Sequence, residues 1–310
     1  MKIKKIGINA SYFYSDSLLN STRRLAKIGF QKIEFSGISL KELSHSEFRE
    51  LKKIIDGEKL NCIAINAVGD LIPVNLGNLA ALQQKERKNA VEHLKRCVDF
   101  AVILKSRRVV CDIGTTTEDL LSLDKQNEIF LSACSEILEY AKTYGILIVL
   151  MNVPGRRWVA WNALPPDKVR VVERSVWPWR LWPEEEELIN EIGGKLKGQV
   201  GWAFDLANEI VANGIVKFQL KDIITPYLTH GLEIVYLANH PGPYNKVWHR
   251  SLLHQSLWDG FYTIQDYNSL FNLLNQNGFK GEIILQIREK EPSELSLKRN
   301  IKFIKKVFLC

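Results

Sequence analysis

Lys142-Thr-Tyr-Gly-Ile-Leu-Ile-Val-Leu-Met-Asn152 carries the end of a helix-period segment through Gly145 and into an uninterrupted apolar run. Upstream, residues 119–143 have the spacing of an α-helix, and glycine just past the end is the residue that most readily makes the left-handed turn where helices stop. Downstream, residues 147–153 are apolar at almost every position. A strand with one face in water would alternate, whereas a strand covered on both faces reads as a continuous apolar run. That second pattern marks a parallel sheet wrapped by helices.

The same unit recurs in both directions along the chain. Strands are predicted at residues 5–9, 32–36, 61–67, 108–113, 147–153, 200–205, 216–222 and 282–287. Helices are predicted at 18–28, 47–55, 85–104, 119–143, 184–196, 265–275 and 294–308. The first helix puts Leu18, Leu25 and Ile28 on one side and Arg23, Arg24 and Lys27 elsewhere, with Gly29 as its stop. Eight strands alternating with helices on 310 residues favour a closed (β/α)8 TIM barrel of the α/β class over an open sheet, as one domain over residues 3–309.

Two stretches break the rhythm. Residues 155–182 hold Trp158, Trp161, Trp177, Trp179 and Trp182 interleaved with Arg156, Arg157, Lys168, Arg170, Arg174 and Arg180. Residues 223–263 hold His230, His240, His249 and His254 around the Pro241-Gly242-Pro243 turn. Connections in α/β units usually take about 2–6 residues, so these read as long loops after the fifth and seventh strands, at the barrel end where active sites sit.

Composition narrows the classes further. The chain is 46% hydrophobic and 25% charged, and no apolar run approaches the roughly twenty residues of a membrane span. Disordered, collagen-like and membrane-spanning proteins are excluded on that pattern. The five cysteines, Cys62, Cys97, Cys111, Cys134 and Cys310, are scattered with no Cys-x-x-Cys pair, as in reduced cytoplasmic proteins. Gly7, Asn9 and Ser11 interrupt the start of the chain where a secretory segment would be apolar, so a cytoplasmic location is expected. The net charge of +7 favours encounter with phosphorylated metabolites or nucleic acid without choosing between them.

Six stretches in order resemble the xylose isomerase-like barrels, a family that includes sugar phosphate isomerases and epimerases and the endonuclease IV type of repair enzyme. They are Lys27-Ile-Gly-Phe-Gln-Lys-Ile-Glu34, the helix-strand unit over residues 95–114, Lys142–Asn152 quoted above, Phe204-Asp-Leu-Ala-Asn208, Lys217-Phe-Gln-Leu-Lys-Asp222 and Asn277-Gly-Phe-Lys-Gly-Glu-Ile-Ile-Leu-Gln286. The resemblance covers nearly the whole chain. It implies a divalent ion held at four strand ends by a Glu, an Asp, a His and a Glu. Aligned by motif, those positions are Met151, Asp205, Gln219 and Gln286 here. One carboxylate with neutral oxygens is a weak set for a dication, so a degenerate site without metal is expected. The Gly193-Gly194 pair ends a helix instead of joining a strand to one, and no nucleotide or other cofactor is expected.

Polar residues at the predicted strand ends supply the candidate site: Glu34, Asn152, Gln219, Lys221, Asp222 and Gln286 as ligand contacts, with Asp205, Asp112 and His240 as candidate catalytic groups. Side-chain amides can donate to and accept from sugar hydroxyls together, and paired carboxylates can share a proton near neutral pH. The resemblance implies a small polyhydroxylated or phosphorylated ligand and proton transfer next to a carbonyl. A non-catalytic barrel kept for assembly or binding is the alternative class, and a repair-type nuclease a third. Pro165-Pro166 and the acidic Glu184–Glu187 run break any continuous basic stripe, which weighs against nucleic acid. The Trp/Arg stretch instead suggests a lid or an interface between copies of the chain.

Overall fold

Eight parallel strands close on themselves: β1 (Ile3–Asn9), β2 (Phe30–Ser36), β3 (Asn61–Asn66), β4 (Arg108–Asp112), β5 (Leu147–Met151), β6 (Val200–Asp205), β7 (Leu232–Leu237) and β8 (Glu282–Leu285). Closure is made where β1 pairs with β8, Gly7 opposite Ile284 and Ile8 opposite Leu285. The computed structural model describes residues 3–67, 79–81, 83–112, 123–151, 182–207, 220–239, 256–258, 260, 262–287 and 292–308.

Alternation along each strand sorts the side chains into two cores. Those facing the bore include Ile63, Val110, Val149, Ala203, Ile234 and Ile284. Those facing outward, among them Phe35, Val109, Trp202, Phe204 and Leu285, meet the surrounding helices. Gly7 belongs to the crowded bore, where a Cβ would stand 2.4 Å from the Ile63 side chain. Burying each large aliphatic or aromatic side chain contributes about 1.5–3 kcal/mol, so the two cores together dominate the stability of the barrel.

Helix ends follow local chemistry. For α1 (Leu18–Ile28) the Ser17 side chain accepts from the Asn20 N–H, and Gly29 closes the last turn at φ 110° while its N–H reaches the Leu25 and Ala26 carbonyls. Two short elements have no apolar period long enough to announce them: a 3-10 turn at Ala10–Phe13 and α2 (Gly37–Glu42), capped by Ser36. The other helices are α3 (His45–Gly57), α4 (Gln84–Ile103), α5 (Leu123–Thr143), α6 (Trp182–Lys195), α7 (Leu220–Thr229), α8 (Ile264–Gln276) and α9 (Glu294–Phe308).

The seventh strand is not residues 216–222 but Leu232–Leu237. Leu220, Ile223, Ile224 and Tyr227 recur at helical spacing and are buried, so α7 occupies the place predicted for a strand end and a loop. Trp202 and Phe204 of β6 pack on Tyr227 with ring centroids 5.9 and 5.3 Å apart, which holds this helix on the barrel although Pro226 lies inside it. Lys221 and Asp222 consequently sit exposed on the first turn of α7. The stretch predicted as a loop from 223 to 263 therefore begins only at Ala238. The Trp/Arg stretch up to residue 181 lies outside the described residues, as do His249 and His254.

Cys62, Cys97, Cys111 and Cys134 are buried and form no disulfide among the described residues. Burial pushes the thiols of Cys62 and Cys97 up to about 12, so neither is a reactive thiolate at neutral pH. Among the described residues no helix is long and apolar enough to cross a membrane.

Candidate functional site

At the C-terminal ends of the strands the bore becomes polar. Asn9 ends β1 and lies opposite Glu34 of β2, and its side-chain Oδ1 accepts from the Ser11 N–H while its Nδ2 donates to Glu34 Oε2 at 2.9 Å. The Tyr236 hydroxyl, from β7, donates to Glu34 Oε1. A carboxylate with no solvent exposure is thus held by an amide and a phenol from two other strands, which ties β1, β2 and β7 across the barrel. Buried charge persists only where such donors satisfy it.

Asp205 ends β6 directly opposite Tyr236, fully buried, and its Oδ1 accepts from the Ala207 N–H at 2.9 Å. That bond fixes the turn leaving the strand. Gln286 follows β8, and its backbone N–H bonds to the Leu237 carbonyl at 3.1 Å. Two residues after Ile284, which faces the bore, the Gln286 side chain has the same sense. It is 6% exposed, and its Oε1 is a buried acceptor with no hydrogen-bond partner among the described residues. Such an atom costs about 1–3 kcal/mol if nothing donates to it.

Of the residues chosen from sequence, Glu34, Asp205 and Gln286 come to this face of the barrel. Asp112 is the last residue of β4, opposite Met151. Lys221 and Asp222 do not belong to the group, because the strand expected to carry them is a helix outside the barrel. Asn152, Gln219 and His240 lie outside the described residues. The sequence reading does not single out Tyr236 or Asn9, although Asn9 is a polar residue closing an apolar run and Tyr236 carries a hydroxyl within one. The strand-like alternation of residues 216–222 hides the strand that carries Tyr236, and the Asn9 amide reads in sequence only as a break in an apolar segment.

The four strand ends that the family resemblance assigns to a divalent ion can be tested against the register. Met151 ends β5 buried in the apolar bore, Asp205 ends β6, Tyr236 stands opposite it on β7, and Gln286 follows β8. A thioether, a carboxylate, a phenol and an amide do not fit the hard-cation preference for several anionic oxygens or imidazoles. Among the described residues no three of His, Cys, Asp and Glu gather as a metal-holding group.

A model of the xylose isomerase-like TIM barrel family matches residues 22–307, and the chain belongs to that family. MJ1311, an uncharacterised protein of Methanocaldococcus jannaschii, is 29% identical over 175 residues, which is 56% of this chain and 56% of that protein. The match thus spans little more than half the length of this curated relative. Among solved structures, a D-tagatose 3-epimerase-like protein superposes with a TM-score of 0.70 at 19% identity, over 98% of this chain and 97% of its own. D-psicose 3-epimerase from Clostridium cellulolyticum H10, solved with D-tagatose, gives 0.69 at 13% identity over 99% and 100%. At such identities the likeness is one of fold.

Proposed function

We propose that this protein is a sugar isomerase/epimerase-like barrel that binds a small polyhydroxylated ligand at the C-terminal mouth, without the divalent ion of its family. The observation that carries the reading is the buried Gln286 Oε1, an acceptor at a strand end waiting for a donor, beside the strands that bring Asp205 and Glu34 to the same face. Sugar hydroxyls are donors of the right kind. Asn152 and Gln219 are further proposed contacts, and Asp205, Asp112 and His240 are the proposed groups for proton transfer next to a carbonyl if the barrel is catalytic. Met151 packed among apolar bore residues favours a second reading, a barrel that binds without catalysis.

Calorimetric titration of the full chain with free ketoses and their phosphates tests the reading. Saturable binding by at least one of them, weakened about fivefold or more in Gln286→Ala, is expected, since a truncated hydrogen-bond partner costs about 1–3 kcal/mol. Silence across the panel overturns it. Activity that vanishes in Asp205→Asn separates catalysis from binding alone. Metal analysis of protein purified without chelator is expected to give far less than one Mn, Co or Zn per chain, and a stoichiometric ion lost in Asp205→Asn overturns that part.

A further inference from the structure

The last helix, α9, packs on the barrel through one face and presents cations on the other. Leu297, Asn300, Ile304 and Val307 are buried, and Phe303 meets Tyr267 of α8 with ring centroids 5.4 Å apart. Lys298, Arg299, Lys302, Lys305 and Lys306 recur three to four residues apart and so share the opposite face, where all but the half-buried Lys305 are exposed. With Glu294 as its one anion, this helix supplies four of the chain's seven excess positive charges. Glu294 lies between Lys298 at 3.7 Å and Arg24 of α1 at 3.9 Å, which brings a further cation to the edge of the face. Two exposed apolar side chains border it as well. Leu295, one turn before Arg299, is 63% exposed, and Trp258 is 46% exposed with the Arg299 guanidinium 6.0 Å from its ring centroid.

From this combination we infer that the α9 face docks the protein on the surface of an anionic phospholipid bilayer, separately from the sugar site at the mouth. Each cation that reaches such a surface strengthens attachment by about fivefold. Indole and aliphatic side chains settle at the headgroup level beside those cations. A nucleic acid answers the cations and stacks on Trp258, but it offers nothing to Leu295, and single strands are held in grooves whereas a helix is a convex ridge. A bilayer meets such a ridge along its length, and residues 298–306 extend about 12 Å at 1.5 Å per residue. The apolar face of α9 is already buried on the barrel, so the helix does not roll into the lipid. Attachment is therefore electrostatic, reversible and screened by salt.

Co-sedimentation of the full chain with vesicles tests this. The protein is expected to sediment with phosphatidylcholine vesicles containing roughly 30% phosphatidylserine and not with phosphatidylcholine alone, and to be released at about 0.5 M salt. Lys302→Gln combined with Lys306→Gln is expected to weaken attachment about 25-fold, and Leu295→Ser several-fold. The same loss of charge at Lys52 and Lys53, exposed on α3, is expected to change it by less than about twofold. Thermal melts of these surface variants are expected to match the parent. No sedimentation with anionic vesicles overturns the proposal. So does attachment weakened equally by the α9 and α3 variants, which assigns it to overall charge, and so does attachment unchanged in Leu295→Ser, which removes the ground for choosing a bilayer. An oligothymidylate of about 20 nucleotides bound more tightly than the anionic vesicles, and lost in the α9 variant, overturns the bilayer in favour of nucleic acid.

Discussion

His93 shows how one buried residue can set the response of the barrel to acid. It lies on α4, and its Nε2 is 2.9 Å from the Ala67 carbonyl, which can only accept, so the imidazole donates there and pins the chain where it leaves β3. Burial is the main influence and lowers its pKa below the ordinary 6.5, outweighing the opposing effect of that hydrogen bond. The unfolded chain takes up the proton first as pH falls, so the stability this residue contributes is complete above about pH 6.5 and declines below it. Denaturant melts at pH 7.5 and 5.5 are expected to show this loss, and His93→Gln, which can donate without titrating, is expected to reduce it. An unchanged pH dependence in that variant would remove His93 from the account. Gly281 is constrained differently: a Cβ there would stand 2.2 Å from the Glu233 backbone oxygen, which cannot move aside as a side chain tip can. Gly281→Ala is expected to cost about 1–3 kcal/mol by overpacking, read as a lower denaturation midpoint at unchanged m-value.

Just after β7, Asn239 joins two of the described stretches that follow it in the chain. Asn239 is fully buried; its Nδ2 donates to the Leu257 and Tyr262 carbonyls and its Oδ1 accepts from the Tyr262 N–H, each at 3.0 Å. Asn300 of α9 holds the same segment from the other side, accepting from the Leu257 N–H at 2.8 Å. Asn239→Ala leaves buried carbonyls and an N–H unpaired, for an expected loss of about 3 kcal/mol. Asn239→Asp is expected to do no better, because a carboxylate would face two carbonyl oxygens. Thermal melts of both variants check this, and an Asp variant as stable as the parent would contradict it. The strands of this barrel were legible wherever a helix with clear period ended in glycine before an apolar run, as at Gly29 and Gly145. The seventh was not, because Lys217-Phe-Gln-Leu-Lys-Asp222 alternates like a strand while Pro226 argues against the helix that follows. Burial of Ile223, Ile224 and Tyr227 on β6 overrode both local signals. The site inherits that error: Asp205 and Gln286 could be read from strands correctly placed, whereas Tyr236 could not be until β7 was.

The two ends of the barrel divide the labour of the molecule. At the mouth stand the buried polar residues Glu34, Asp205 and Gln286, and at the other end charges meet one another. Lys32 of β2 reaches Glu282 of β8 at 2.6 Å, and Arg108 of β4 reaches Glu233 of β7 at 2.9 Å and Glu282 at 3.9 Å. Strands that do not neighbour one another in the sheet are joined by this group, whose side chains keep only 14–32% of their exposure. In barrels of this class the end away from the strands' C-termini serves stability. Arg108→Met would strand Glu233 beside Glu282 with one cation between them. A fully buried pair broken in this way loses about 3–5 kcal/mol, and the residual solvent contact here lowers the expectation to about 2 kcal/mol. Adding Glu233→Gln to that variant is expected to return part of the loss, because the uncompensated charge goes with it. Sugar affinity at the mouth is expected to stay within twofold in both variants, while Gln286→Ala changes affinity with little effect on melting. An Arg108→Met protein that melts like the parent but binds sugar poorly would mean that the charged end is coupled to the site across the bore and that the division between the two ends is false.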